Sequence, residues 1–283
     1  MSDSRNESDP VARVGLAAIG RRLPGDNLPG RMAERDEIIA FIDELLDVRA
    51  FSDYGPNGLQ VPGGEEVSLV VSGVSAQREL FERAAAAGAQ LVLCHHGLFW
   101  DFHSRAITPA MKQRLRVLFD ADISLAGYHL PLDAHPEVGN NALICAALGL
   151  EQAEPFGEHK GRALGFVGRS AEGVPFAELK RRCAAAFEQE PFVCEFGPEP
   201  VRSVAIVSGA APGSLTDAIA AGVDAFLTGE PAEHVMASAR ESDVHFIAGG
   251  HYATERFGIR RLGELVAERF GIEHRFVEIP NPI

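Results

Sequence analysis

The chain has 283 residues, 46% of them hydrophobic and 23% charged, a balance typical of a folded globular protein that excludes wholesale disorder. No apolar run approaches the roughly 18 residues that a membrane span requires, and residues 1–10 are polar, so we expect neither a membrane partner nor a secretory signal. The net charge of −14 repels phosphate backbones and therefore argues against nucleic acid as a partner.

The termini and the cysteines give two further expectations. Residues 1–30 lack helical or strand periodicity and end in Pro- and Gly-rich turns, so we interpret them as a disordered extension before a domain at 31–283. An ordered arm that docks on a partner is the alternative. The four cysteines form no CxxC pair, which predicts reduced, mostly buried thiols and a cytoplasmic location.

From residue 34 onward, apolar strands alternate with amphipathic helices. A helix is expected over 34–48, followed by a loop at 53–58. The next expected elements are strands at 67–74, 91–94 and 123–126 and helices at 76–88, 108–120 and 140–148. The second half adds strands at 163–167, 193–196, 204–207, 225–228, 244–248 and 274–279 and helices at 176–187, 214–221, 232–241 and 254–270. This alternation predicts an α/β fold with mostly parallel sheets.

The two halves of the chain resemble each other. Residues 70–74 are echoed by 206–210, and 87–93 by 221–227. A strand and a glycine also precede a His-x-x-x-carboxylate pattern twice, at 129–133 and at 251–255. We infer two similar three-layer α/β lobes, about 34–150 and 160–283. The alternative is that unrelated βα units merely share apolar runs and glycines.

Histidines and carboxylates follow three of the predicted strands. In open α/β sheets ligands bind beyond the carboxyl ends of the strands. His95 and His96 come directly after the strand ending at residue 94, and Asp133 follows another strand. His251 and Glu255 are spaced to share one helix face. Imidazole with carboxylate suits zinc, iron or manganese, and five ligands exceed one tetrahedral site. The pattern therefore indicates a carboxylate-bridged pair of metal ions.

Each of these residues also has an ordinary structural interpretation. A strand-end histidine is often a surface residue, Asp133 fits a turn cap, and His251 with Glu255 fits a helix N-terminus. His234 is a minor candidate for the site, and we assign His103, His135, His159, His245 and His274 to the surface or core. The sequence has no Gly-x-Ser-x-Gly elbow, P-loop or dinucleotide fingerprint, so nucleophilic and nucleotide-loop alternatives are weak.

Six motifs in one order carry a family resemblance. They are DYGPNGLQV (53–61), HHGLFW (95–100), YHLPLDAHPE (128–137), LTGE (227–230), GHYATER (250–256) and IPNP (279–282). Together they resemble the Nif-three-like dinuclear-metal proteins, often labelled GTP cyclohydrolase I type 2, and in particular the short members without an inserted middle domain. Residues 1–30 have no counterpart in this resemblance.

The resemblance implies a dinuclear site between two lobes and a toroidal homohexamer built as a trimer of dimers. It implies two divalent ions per chain, which could be zinc, iron, manganese or nickel. It implies His129 as a proton shuttle or sixth ligand. The ligands it implies are His95, His96, Asp133, His251 and Glu255.

Two hypotheses about function follow. The first is a metal-dependent hydrolase that uses a metal-bridged hydroxide on a small, nucleotide-like substrate, with GTP cyclohydrolase as its specific version. The second is a non-enzymatic metal-binding ring that acts as an adaptor for a protein partner. The cyclohydrolase label accompanies the fold, and a fold does not fix a function.

Overall fold

The computed structural model describes residues 31–283, so the predicted disordered extension at 1–30 lies outside the described residues. The described chain forms two main sheets and nine helices, which confirms the predicted α/β class. Within these residues, no helix has the length and apolar character needed to cross a bilayer.

The first sheet is mostly parallel, as predicted. Its strands are β2 (Gly58–Val61), β4 (Leu69–Ser75), β5 (Leu91–His96), β6 (Ser124–Gly127) and β13 (Glu273–Phe276). Their order is β13-β4-β5-β6-β2, and only β2 runs antiparallel to its neighbour. Strands β4 and β5 are almost continuously buried because both faces of the sheet are covered. A short ribbon pairs β1 (Ala33–Glu34) with β3 (Glu66–Val67).

The second sheet combines a parallel centre with antiparallel edges. Its strands are β7 (Glu151–His159), β8 (Arg162–Val174), β9 (Phe192–Cys194), β10 (Val201–Ile206), β11 (Ala225–Thr228) and β12 (His245–Ala248). The order is β7-β8-β10-β11-β12-β9, in which β10, β11 and β12 are parallel and the other three pairings are antiparallel. The antiparallel pairing of β7 with β8 arises because a two-residue turn at Lys160 and Gly161, both with positive φ, joins these strands as a hairpin.

Helix α9 connects the hydrophobic cores of the two sheets. The helices are α1 (Arg35–Leu45), α2 (Arg78–Ala87), α3 (Pro109–Asp120), α4 (Leu130–Ala134), α5 (Asn140–Ala147), α6 (Phe176–Phe187), α7 (Leu215–Ala221), α8 (Val235–Glu241) and α9 (His251–Phe270). Ala253 and Phe257 of α9 pack in the core of the second sheet, whereas Ile259 and Leu262 pack in that of the first. The first turn of α9 is therefore fixed between the two sheets.

Several elements differ from the sequence prediction. The echoed segments occupy corresponding parallel strands, β4-β5-β6 and β10-β11-β12. The last strand, β13, nevertheless pairs with β4, so the end of the chain returns to the first sheet. Strand β9 ends at Cys194 rather than at residue 196. The sequence pattern does not predict strand β7, because a bulge between Gln152 and Pro155 interrupts the alternation of apolar and polar residues.

The four cysteines are buried and free, in agreement with the predicted core role. Burial raises the pKa of the Cys145 and Cys183 thiols to about 12. Both thiols therefore stay protonated near neutral pH, and they pack as small apolar side chains.

His274 on β13 gives the fold a pH dependence. Its Nε2 lies 2.8 Å from Ser72 Oγ, and burial together with the positive charge of Arg260 lowers its pKa to about 4. The unfolded chain takes up this proton near pH 6.5, so the folded state loses stability as the pH falls from about 6.5 to about 4. Between about pH 7 and pH 5 the expected loss in the free energy of unfolding is about 2 kcal/mol.

Urea unfolding at these two pH values checks this prediction. His274→Gln should remove about 2 kcal/mol of the pH dependence, and the exposed control His103→Gln should retain it. Equal pH dependence in the parent protein and His274→Gln would contradict the assignment.

Candidate metal centre

The histidines and carboxylates predicted as site residues meet where three parts of the chain converge. These parts are the end of β5, helix α4 with the residue before it, and the start of α9. Three groups of three have ligand atoms that lie within 4.8 Å of one another. The groups are His95, His96 and His129; His96, His251 and Glu255; and His95, Asp133 and Glu255. The structure thus brings together all six residues that the sequence selected, whereas His234 is exposed beside α8 and belongs to none of these groups.

The two adjacent histidines end strand β5 instead of following it. His96 lies opposite Ser75 of β4, because the parallel ladder extends two residues beyond the predicted end. His95 is fully buried and His96 is partly exposed, yet their ring centroids are 4.8 Å apart. The end of β5 therefore delivers two imidazoles to one place.

The first turns of α9 supply a histidine and a carboxylate on one helix face. The helix begins at His251, three residues earlier than predicted, because Gly250 has the non-helical angles φ 97° and ψ 132° just before it. Glu255 follows four residues later, and its Oε2 lies 3.0 Å from His251 Nε2. The predicted i, i+4 geometry is therefore present.

Glu255 is the centre of the cluster. Its Oε2 also lies 3.0 Å from His96 Nε2, and its Oε1 lies 3.6 Å from His95 Nε2. The residue is only 3% exposed and belongs to two of the three ligand groups. Its two oxygens thus face different histidines, which is the arrangement that a bridging carboxylate requires.

Asp133 points one oxygen at the cluster and uses the other for support. Its Oδ1 accepts hydrogen bonds from Asn140 Nδ2 at 2.8 Å and from Ser208 Oγ at 3.1 Å. Its Oδ2 lies 3.5 Å from His95 Nε2. The carboxylate is therefore oriented by both halves of the chain.

His129 is held by the loop that precedes β2. Its Nδ1 lies 2.7 Å from Asp53 Oδ1, and its backbone N–H donates to Asn57 Oδ1 at 2.8 Å. Asp53 also accepts the backbone N–H of Leu130 at 2.9 Å. Although burial opposes it, the bond and charge of His129 lower the pKa of Asp53 to about 2. This carboxylate therefore stays ionised behind the imidazole.

All four histidines of the cluster share one orientation. Each ring contacts an oxygen through Nδ1, which leaves Nε2 for the cluster. Outer partners of this kind are typical of metal-binding histidines, because they fix the ring and its tautomer. The partners are the Tyr128 carbonyl for His95, the Ser75 hydroxyl for His96, Glu230 for His251 and Asp53 for His129.

Two buried atoms at the centre lack hydrogen bonds. Within the described residues, His95 Nε2 and Glu255 Oε2 are inaccessible and have no hydrogen-bond partner of acceptable geometry. Buried polar atoms are almost always satisfied in folded proteins. A cation between these two residues would satisfy both atoms, so the donor set fits a metal ion.

The carboxylates control the charge of the histidines. Burial opposes an imidazolium at His95, but Asp133 and Glu255 outweigh it and raise its pKa to about 9. In the same way Glu255 and Glu230 raise the pKa of His251 to about 9 against its burial. Without a cation the site therefore holds protons near neutral pH, and a metal ion would have to displace them.

The supporting residues were largely missed by the sequence analysis. Asn140 is fully buried at the start of α5, and the adjacent asparagines at 140 and 141 are the sequence feature that could have indicated it. Ser208 supports Asp133 from the segment that follows β10. Glu230 and Asp53 lie in motifs that we quoted, but no role was assigned to either.

The fold and the site together define a class, an α/β protein with a histidine–carboxylate cluster where its two sheets meet. The family model of Duf34/NIF3 (NGG1p interacting factor 3) matches residues 33–282, and the chain belongs to this family. The predicted resemblance is thereby confirmed.

Curated relatives and solved structures agree with this assignment. The chain is 45% identical over 240 residues to a GTP cyclohydrolase 1 type 2 homolog of Pseudomonas aeruginosa, covering 85% of this chain and 95% of the relative. It is 43% identical over 253 residues to the Escherichia coli protein of the same name, covering 87% and 98%. A solved structure described as protein ybgI, of unknown function, matches with a TM-score of 0.83 at 43% identity, covering 89% and 100%.

The Asp53–His129 pair gives a prediction about an outer partner. Asp53→Asn should lower metal-dependent turnover, or metal affinity, by about 10- to 100-fold because the imidazole loses its fixed orientation. The same change should also lower the free energy of unfolding, because Asp53 is a carboxylate whose pKa is lowered to about 2 in the folded chain, so affinity and turnover are measured on protein confirmed as folded. Asp120→Asn, on an exposed carboxylate of α3, should leave turnover and metal affinity unchanged. An Asp53→Asn protein with full metal affinity and turnover would show that the role of His129 does not depend on its contact with Asp53.

Proposed function

We propose that this protein binds two divalent metal ions and uses them to hydrolyse a small, nucleotide-like substrate. The observation that carries the proposal is Glu255, whose two oxygens face His95 on one side and His96 with His251 on the other. A carboxylate shared by two ligand groups is the arrangement that places two metal ions side by side.

The charge of the site supports divalent cations. Asp133 and Glu255 lie in the cluster, and Glu230 and Asp53 lie directly behind its histidines. With neutral imidazoles these four carboxylates carry four negative charges in a largely buried place, which is costly unless cations compensate them. Nitrogen and carboxylate donors suit zinc, iron, manganese or nickel better than magnesium or calcium.

The residues of this chain then have distinct tasks. Bound divalent ions would supply Lewis acidity and a nucleophile at neutral pH. Glu255 and Asp133 would hold the ions, and His129 would accept or donate a proton at Nε2. Asp53 would stabilise the imidazolium of His129 while that proton is held.

The specific activity in the names of the relatives is a narrower hypothesis. The curated relatives are named homologs of GTP cyclohydrolase 1 type 2, and the ybgI structure is described as of unknown function. The names favour a nucleotide-like substrate and a hydrolytic reaction. Opening of the purine ring of GTP is one version of that reaction.

A turnover screen tests the hydrolase. Purified protein of known metal content would be assayed against nucleotides, nucleosides and phosphoesters. Any metal-dependent activity should fall by more than about a hundredfold in Asp133→Ala, since even an outer partner of a metal ligand is worth that much. The exposed control Asp120→Ala should keep full activity. Equal turnover in Asp133→Ala would overturn the proposal.

One observation favours an assembly as a second function. Phe99 and Ile107 expose 41% and 66% of their surface in the segment between β5 and α3. Neighbouring exposed apolar side chains are typical of protein contacts. We propose that they lie in an interface of the homohexamer, which light scattering of the full chain tests. An adaptor would lose its assembly with its metal and would show no metal-dependent turnover in the screen.

A further inference from the structure

A cavity of about 810 Å³ opens onto the candidate metal centre. His96, His251 and Glu255 lie in its lining. Sites for small molecules usually measure about 300–1,000 Å³, so the space accommodates a ligand of the size of a nucleoside. The chemistry of the remaining lining residues therefore bears on the substrate class.

Aromatic rings form a continuous wall along this cavity. Phe102 stacks on Trp100 with centroids 5.6 Å apart and planes at 25°, and Trp100 lies 5.0 Å from His129. The row continues to Tyr54 at 6.3 Å from His129 and ends at His159, 5.0 Å from Tyr54. All five rings line the cavity. Such a wall binds the faces of flat rings by stacking.

The Trp100 ring is fixed in place. Its indole Nε1 donates to the Gly97 carbonyl at 3.1 Å. The segment that follows β10 contributes small or apolar side chains to the lining, namely Val207, Ala210 and Ala211. A rigid aromatic surface and small neighbours leave room for a flat ring.

The charged side chains of the lining are acidic. Glu158 and Asp217 line the cavity in addition to the carboxylates of the cluster. No lysine or arginine among residues 31–283 belongs to this lining. The nearby Lys160 donates to Ser52 Oγ at 3.2 Å, with its ammonium 5.4 Å from the centre of the Tyr54 ring. Two divalent ions at the cluster would offset Asp133 and Glu255 together with Asp53 and Glu230 behind the histidines, so Glu158 and Asp217 would still leave the lining acidic. Because phosphoryl groups are usually bound by arginine and lysine, this lining disfavours a polyphosphate.

His159 forms the far end of the aromatic wall. Its Nδ1 lies 3.5 Å from the Tyr54 hydroxyl. Its Nε2 is inaccessible within the described part of the chain, so this nitrogen does not reach a ligand in the cavity. The residue therefore contributes to the wall as a ring and not as a hydrogen-bonding group.

We infer that the cavity binds a flat aromatic ring that is neutral or cationic and stacks along the Trp100 wall. The same cavity discriminates against a polyphosphate tail. The inference rests on the proposed function in taking this cavity as the substrate site. It narrows the substrate to a nucleoside or free base rather than a nucleoside triphosphate.

Trp100 is the only tryptophan in the sequence, so its fluorescence reports directly on the cavity. The full chain, with its metal content measured in the same sample, would be titrated with guanosine, 7-methylguanosine and the magnesium complex of GTP. These probes share the purine and differ in charge. Guanosine and 7-methylguanosine should quench the fluorescence saturably, at concentrations about tenfold lower than GTP.

Calorimetry of three variants separates stacking from charge. Trp100→Leu should weaken guanosine binding by about tenfold, whereas Trp100→Phe retains most of it. Asp217→Asn should strengthen GTP binding and leave guanosine binding unchanged. Circular dichroism would confirm that each variant is folded.

The inference is overturned if GTP binds more tightly than guanosine, if Trp100→Leu binds guanosine normally, or if no probe binds. Binding is measured without turnover, so the two claims fail separately. Metal-free protein that binds the probes in the expected order would contradict the hydrolase and leave this inference standing. Metal-loaded, active protein that prefers GTP would support the hydrolase and overturn this inference.

Discussion

Glu255→Gln is expected to reduce the metal content from about two ions per chain to well below one. The side chain keeps its size, but it loses the charge and one of the two oxygens that face His95 on one side and His96 with His251 on the other. An amide offers one weak oxygen ligand in place of two, so neither ion keeps the shared carboxylate. Elemental analysis of the purified protein checks this result.

A matched control comes from the same helix. Glu264 lies on α9, has an exposed side chain and pairs with Arg261 rather than with the cluster. Glu264→Gln removes the same charge and should keep the full metal content. Equal metal content in Glu255→Gln and Glu264→Gln would show that Glu255 does not bridge metal ions.

Gly209→Ala is expected to disrupt the site in two ways, by straining the backbone at residue 209 and by displacing the Glu255 carboxylate. Gly209 has a φ of +68°, where an alanine is strained, and a Cβ there would overlap Glu255 Oε1. The strain costs about 1–2 kcal/mol. The overlap would move the central carboxylate, so we expect metal binding to be largely lost as well.

Gly88→Ala separates the two effects. Gly88 ends α2 with a φ of +73°, and no atom lies within 4 Å of a Cβ added there. This variant should show a similar loss of stability, about 1–2 kcal/mol, with metal binding unchanged. Urea unfolding and elemental analysis of both variants measure the difference. Full metal content in Gly209→Ala would show that metal binding by Glu255 does not depend on the absence of a side chain at residue 209.

The class of fold and the members of the cluster could be predicted because both have local signals. Alternating apolar strands and helices gave β4, β5 and β6 at nearly their observed positions. The clustering of His95, His96, Asp133, His251 and Glu255 follows from strand ends and helical spacing, and the family resemblance marks the same residues. Their role as metal ligands stays a prediction.

The supporting contacts could not be predicted because they join distant parts of the chain. Asp53 contacts His129 across 76 positions, and Ser208 contacts Asp133 across 75. The return of β13 to the first sheet is also decided by long-range packing, since a short amphipathic strand fits the edge of either sheet. Sequence periodicity carries no information about such pairings.

Metal stoichiometry tests the central claim most directly. The full chain would be purified without an affinity tag or chelator, and its metal content measured by elemental analysis. We predict about two divalent ions per chain, lost in Asp133→Ala and Glu255→Gln. A content near zero, with no uptake of zinc, iron or manganese on titration, would contradict the dinuclear centre and the hydrolase built on it.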